Sequence, residues 1–202
     1  LVVAAVLAAG AHIVNDVSGL RAPELAPLVA SHGAGLVVMH TAAPPKQRLQ
    51  ATDLYGDIVT EVRDFLAAKV DEALAAGVHE ASILVDPGPD FTKTPAQTVE
   101  VLRHLADLNP RALPMLLAIS RKDFIGALTH TRPKERLAGT LAATAAVGSG
   151  SGVILRVHDV GEVRRFLTVL DVLRSTEPVD PELRLGDELR WAAGRPDGTK
   201  AQ

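Results

Sequence analysis

Five places along this chain join a short apolar run to side chains that can do chemistry. The first run ends in Asn15-Asp16, the second in Met39-His40-Thr41 and the third in Asp86-Pro87-Gly88. The fourth ends in Ser120-Arg121-Lys122, and the fifth carries Arg156-x-His158-Asp159. A neutral amide and a carboxylate together can read the donor and acceptor edge of a heterocycle. Lys and Arg favour anions, and Arg matches phosphate oxygens with a rigid fork of donors. Each residue also has a plainer reading. Asp86 before Pro-Gly suits a turn, Arg156 a surface ion pair, His158 a satisfied core histidine and Lys122 a solvated lysine. Asn15-Asp16 suits the cap of a following helix. Five such endings on five runs are harder to explain by coincidence than by one shared site.

The runs themselves, His12–Asn15, Gly35–His40, Ser82–Asp86, Pro114–Ser120 and Gly152–His158, are short and rich in β-branched residues, as buried strands are. Helical patterns lie between them. Residues 22–31 begin with Pro23 and stop at Gly33. Residues 57–76 put Ile58, Val62, Phe65, Leu66 and Val70 on one face, residues 96–108 carry a stripe of Val101, Leu102, Leu105 and Leu108, and residues 134–147 are Ala- and Leu-rich. Residues 160–174 form a further stripe, preceded by Asp159-x-x-Glu162 at capping-box spacing. Strand and helix therefore alternate about five times, which calls for a parallel sheet. In a barrel, or in an open α/β sheet, the five polar endings then converge beyond the C-terminal ends of the strands. After Ser175 the chain turns polar and Pro/Gly-punctuated. Residues 176–202 are read as a tail with a short helix near 181–192 and a disordered end.

Bulk properties narrow the function classes. The 202 residues suffice for one domain with a sizeable core, and 47% are hydrophobic but only 3% aromatic. Net charge is −3 without a basic run, which argues against a nucleic-acid partner. The absence of cysteine removes disulfides and thiolate metal sites and favours a reducing, cytoplasmic home. Residues 1–9 resemble the apolar core of a signal peptide, but no basic stretch precedes them and the pattern continues into AHIVND, so no targeting signal is expected. No apolar run reaches the ~18 residues of a membrane span.

Taken in order, IVNDVSGL (13–20), LVVMH (36–40), ILVDPGPDFTKT (83–94), LLAISRKDFIG (116–126), ER-x-x-GTLAAT (135–144) and LRVHDV (155–160) resemble the dihydropteroate synthase family. The resemblance covers about residues 1–174. It implies an α/β fold, a (β/α)₈ TIM barrel of which residues 1–175 carry the last five βα units. It implies a transferase of folate biosynthesis, joining 6-hydroxymethyl-7,8-dihydropterin diphosphate to p-aminobenzoate and releasing diphosphate. By position, Asn15, Asp86 and Lys122 resemble the pterin-reading residues, with Asp86 and Lys122 also serving catalysis, and Met39 the apolar wall beside the ring. Arg156 and His158 resemble the diphosphate-binding pair. Phe91, Lys93 and Ser120 fall on the p-aminobenzoate side. A Mg²⁺ cofactor and a homodimer are implied as well.

The same resemblance sets the start of this chain inside the family's third helix. The family's first three strands, its metal-binding Asn, another pterin-binding Asp and two mobile loops then lie upstream, and no metal ligand is assigned within residues 1–202. Asp90 and Ala118 stand where the family usually has glycine, and both would crowd the pterin pocket. A catalytically silent paralogue that still binds a pterin or diphosphate is the alternative. A pterin-binding methyltransferase domain is another, although SRK and RVHDV supply a diphosphate site that methyl transfer does not need. An open five-stranded arc with Asn15, Asp86, Lys122 and Arg156 at one end is the expected geometry.

Overall fold

Each apolar run becomes a strand and each striped segment a helix, in a computed structural model that describes residues 2–45, 47, 49–148 and 152–190. The order is α1 (Val2–Ala8), β1 (Ile13–Asp16), α2 (Leu25–Ser31), β2 (Gly35–Met39), α3 (Ile58–Ala75), β3 (Ile83–Asp86) and α4 (Pro95–Arg103). It continues with β4 (Met115–Leu117), α5 (Asp123–Thr129), α6 (Leu137–Val147), β5 (Val153–Leu155) and α7 (Val160–Arg174). All neighbouring strands are parallel and lie in the order β1-β2-β3-β4-β5. The order never reverses, so right-handed crossovers put every helix on the same side. A doubly wound sheet needs a reversal. What forms is an arc of the barrel type.

The two faces of the arc follow from strand alternation. Leu36, Val38, Ile83, Val85, Met115 and Leu117 turn outward and pack with Val29, Val62, Leu66, Val70, Val101 and Leu108 from the helical layer. The concave face receives the alternate residues. Asn15 pairs with Val37 and Val37 with Leu84, while Met39 pairs with Asp86. The inner edges are open: Ile13 on β1 is 56% exposed and Ile154 on β5 is 46% exposed. The interior strand β2 is buried throughout Leu36–Met39, whereas the edge strands are not.

The helices start and stop for local reasons. Asp57 caps α3 by accepting from the backbone N–H groups of Val59 and Thr60, and the chain leaves it through Gly77 at φ +93°. Thr94 and Gln97 form a reciprocal capping box on α4, with Pro95 in the first turn. This helix ends at Arg103 rather than 108, because residues 104–108 turn to bury Leu108. The first helix after β1 begins at Leu25, not near 22, with Pro23 ahead of the cap. Asp16 does not cap it. Its carboxylate instead accepts from Ser18 and Leu20 in the turn directly after the strand.

Two further expectations are corrected. The Asp159 side chain makes no cap on α7, since both its oxygens bind the Arg121 guanidinium. A bidentate charged pair outweighs a single capping hydrogen bond. In the tail, residues 176–190 are exposed and hold only a 3₁₀ turn at Asp187–Leu189 instead of a helix. The disordered end expected there falls on residues 191–202, outside the described residues.

Candidate functional site

Beyond the C-terminal ends of the strands, three loops meet around a cleft of about 480 Å³. The loop after β2 contributes Thr41, Pro44 and Pro45, the loop after β3 Asp90, Phe91 and Thr92, and the loop after β4 Ser120, Arg121 and Lys122. Arg156 and His158, just past β5, complete it. A smaller recess of about 120 Å³ shares Ser120, Lys122, Arg156 and His158 and reaches Ala118.

The DPG turn after β3 is fixed by crowding. Gly88 sits at φ +64°, and a Cβ there would lie 2.2 Å from the His40 carbonyl oxygen. Its N–H donates to Asp86 Oδ1 at 2.8 Å, so the turn reading of Asp86 holds for one oxygen. The carboxyl is nevertheless only 3% exposed and lies in the field of Lys122, Lys93 and Arg156. Burial pushes its pKa up to about 6 against the pull of the Gly88 N–H and those three cations.

Lys93 lies fully buried, with no exposed surface. Its ammonium reaches His40 Nδ1 at 2.8 Å, the Gly88 carbonyl at 3.0 Å and the Phe91 carbonyl at 3.2 Å. Burial lowers its pKa to about 7 despite Asp86, and burial beside Lys93 lowers His40 to about 2, which keeps the imidazole neutral as an acceptor. Lys93 is not among the residues that line the cleft. Its donors are used on the loop 88–91.

Lys122 has a different setting. Its Nζ donates to the Pro89 carbonyl at 3.0 Å and lies 4.5 Å from the Phe91 ring centre. Burial lowers its pKa, opposed by Asp90 and Asp86. His158 is held by Ser120: its N–H donates to Ser120 Oγ at 3.2 Å, and Nδ1 lies 3.0 Å from the same oxygen. Ser120 is buried, while Arg156 and His158 face solvent at the cleft wall.

Asp90 lines the cleft at φ +60°. Its Oδ2 accepts from the N–H groups of Asp123 and Phe124 at the start of α5, and its Oδ1 from the Thr98 hydroxyl. The charge expected near the pocket is thus present, bound to backbone donors.

The structure brings Lys122, Arg156, His158, Ser120 and Phe91 into one cleft. Asp86 is buried and does not line it, but lies in the electrostatic field of Lys122 and Arg156. Asn15 and Met39 occupy the concave face at the ends of β1 and β2 but do not line that cleft, Asn15 exposed and Met39 buried. Sequence reasoning gave Arg121 no role of its own and passed over Pro44, Pro45 and the short helix α5. The only signals for them were one more basic residue in SRK and a Pro-Pro pair.

Three comparisons fit this geometry. A family profile described as pterin binding enzyme matches residues 1–158. The dihydropteroate synthase of Synechocystis is 41% identical over 169 residues, covering 83% of this chain and 58% of that protein. The inactive dihydropteroate synthase 2 of Mycobacterium bovis is 37% identical over 184 residues, covering 89% of this chain and 57% of that one. The crystal structure of Xanthomonas albilineans dihydropteroate synthase with 4-aminobenzoic acid superposes with a TM-score of 0.76 at 37% identity. It covers 86% of this chain and 61% of the other. The chain spans less than two thirds of each of these relatives.

Proposed function

The chain belongs to the pterin binding enzyme family, and on that premise we propose that the protein condenses 6-hydroxymethyl-7,8-dihydropterin diphosphate with p-aminobenzoate, giving 7,8-dihydropteroate and diphosphate. The observation that carries this reading is the convergence of Lys122, Arg156, His158 and Ser120 on one cleft, with the buried carboxyl of Asp86 in the field of Lys122 and Arg156. A pterin ring offers N–H donors that a carboxylate accepts and a carbonyl that an ammonium binds. Asp86 and Lys122 supply that pair, with Asn15 and Met39 on the neighbouring strands. Arg156 and His158 take the diphosphate, and Phe91 and Ser120 border the arylamine. Lys93 serves by holding the loop that carries Phe91.

The chemistry needs no strong base. The C–O bond to the diphosphate breaks, a cationic pterin methylene develops, and the aromatic amine attacks it and then loses a proton. Arg156 and His158 stabilise the departing charge, as preorganised donors do. Asp86 offsets the positive charge on the ring. Magnesium is proposed on family grounds alone: among the described residues no group of three or more His, Asp or Glu side chains could hold a metal ion. A cytoplasmic homodimer is proposed on the same grounds, and no helix of the described residues is long and apolar enough to cross a membrane.

A second reading has its own support. The chain is 37% identical to a relative named as inactive, and Asp90 sets a carboxylate on the cleft wall. On this reading the protein binds a pterin diphosphate without turnover. A coupled assay for diphosphate release, run on the intact protein and on Asp90→Gly with both substrates, separates the two. Release by wild type supports the synthase. Binding without release, with activity gained in Asp90→Gly, supports the silent form, and no binding by either protein rejects both.

A further inference from the structure

The segment ER-x-x-GT at 135–140 does not line the cleft, yet it hydrogen-bonds the loop that carries Lys122. Arg136, whose side chain is 10% exposed, points its guanidinium away from solvent and into that loop. Nη1 lies 2.9 Å from the Arg121 carbonyl, 3.1 Å from the Lys122 carbonyl and 3.0 Å from Asp123 Oδ1. Nε donates to the Thr131 carbonyl at 3.1 Å. The group lies flat over Gly126, where a Cβ would come 2.2 Å from Nη2 and 2.4 Å from Cζ. One turn further along α6, the buried Thr140 hydroxyl accepts the Arg121 N–H at 3.0 Å.

The loop needs this support. Arg121 adopts φ +57°, a left-handed conformation that costs a residue with a side chain unless its surroundings impose it. Burial strips the Lys122 ammonium of part of its water, which the pull of Asp90 and Asp86 opposes, so a free loop would let the ammonium regain solvent. Arg136 and Thr140 grip the carbonyls and the N–H on one side of the turn. Asp90 grips the next two N–H groups on the other. Removing either grip frees the turn without opening the apolar core.

We propose that Arg136 is a positioning residue of the cleft: through the carbonyls of Arg121 and Lys122 it holds the Lys122 ammonium over Phe91, where a ligand meets it, and touches no ligand itself. The proposal rests on the reading of Lys122 as a ligand-binding group. Gly126 belongs to the same device, since a methyl group there would displace the guanidinium.

A double-mutant cycle in the intact protein tests this. Arg136→Ala, Gly126→Ala, Lys122→Met and Arg136→Ala/Lys122→Met are titrated with 6-hydroxymethyl-7,8-dihydropterin diphosphate. In parallel, the pH dependence of Lys122 acylation is followed by mass spectrometry. Arg136→Ala and Gly126→Ala should each weaken binding at least fivefold and raise Lys122 acylation toward that of a solvated lysine. In the Lys122→Met background Arg136→Ala should add less than twofold, because its effect passes through the side chain already removed. Additive losses, or an unchanged Lys122 acylation profile, overturn the proposal. If Lys122→Met itself leaves binding intact, the ligand role of Lys122 fails, while a shifted acylation profile still supports the positioning role. Should Arg136→Ala not fold, Arg136→Lys is read by the same cycle, its single ammonium being unable to span both carbonyls as a guanidinium does.

Discussion

Replacing Asp86 by Asn changes one buried charge and almost no volume. The amide oxygen can still accept the Gly88 N–H, which Oδ1 accepts at 2.8 Å, so the turn should survive. The second carboxylate oxygen is replaced by a donor that faces the ligand's own N–H groups. A charged hydrogen bond of this kind contributes about 1.5–3 kcal/mol, so pterin diphosphate should bind roughly 10- to 150-fold more weakly. The pH profile provides an internal control. The pKa of Asp86 is pushed up to about 6 by burial, so the accepting form dominates at pH 7 and is the minority at pH 5. Wild-type affinity should then fall about tenfold between pH 7 and pH 5. Asp86→Asn should lack that component, so the two affinities should approach each other in acid. Isothermal calorimetry at pH 5, 6, 7 and 8 reads both effects. Equal affinities at pH 7, or parallel pH profiles, would refute the assignment and leave Asp86 as a turn residue.

The remaining predictions concern the cations, the buried pair and the turn. Arg156→Ala should weaken inorganic diphosphate by about 1.5–3 kcal/mol in calorimetry, and unchanged affinity would count against the diphosphate assignment. The folded protein holds an extra proton on Asp86 between about pH 4 and 6, so chemical denaturation should show stability falling across that window as pH rises, and Asp86→Asn should remove the fall. Lys93, lowered to about 7, is deprotonated in the folded state before the unfolded one, so stability should rise with pH above about 7 and Lys93→Met should flatten the rise. Gly88→Ala combines φ +64° with a 2.2 Å clash against backbone and should cost more than about 2 kcal/mol in thermal unfolding; a neutral effect would mean the DPG turn is misplaced.

Strand positions were legible to within a few residues because parallel strands buried on both faces are continuous apolar runs, and Gly35–Met39 is such a run. The ends of the helices were less so. Residues 104–108 continue the α4 stripe, but Leu108 reaches the core through a turn. The helix α5 begins inside SRKDFIG and runs on to Thr129; its seven residues are too few to show a period, and its capping carboxylate comes from Asp90, 33 positions before Asp123. Long-range partners of that kind decided the other misses. Asp159 has the spacing of a cap, and only the fold brings Arg121 to it. Lys93 has the composition of a ligand contact, and only the fold seats its ammonium between His40 and two carbonyls. The strand-end residues were legible as a set because parallel strands must deliver their C-terminal ends to one side, whatever the loops do.

The most direct test is a calorimetric titration of the intact wild-type protein with 6-hydroxymethyl-7,8-dihydropterin diphosphate, repeated with inorganic diphosphate already bound. A single ligand that spans Asp86 and Lys122 at its ring and Arg156 and His158 at its phosphates should saturate one site, and diphosphate should compete with it. A folded protein that takes up no pterin diphosphate, or that binds it without competition from diphosphate, would contradict that arrangement.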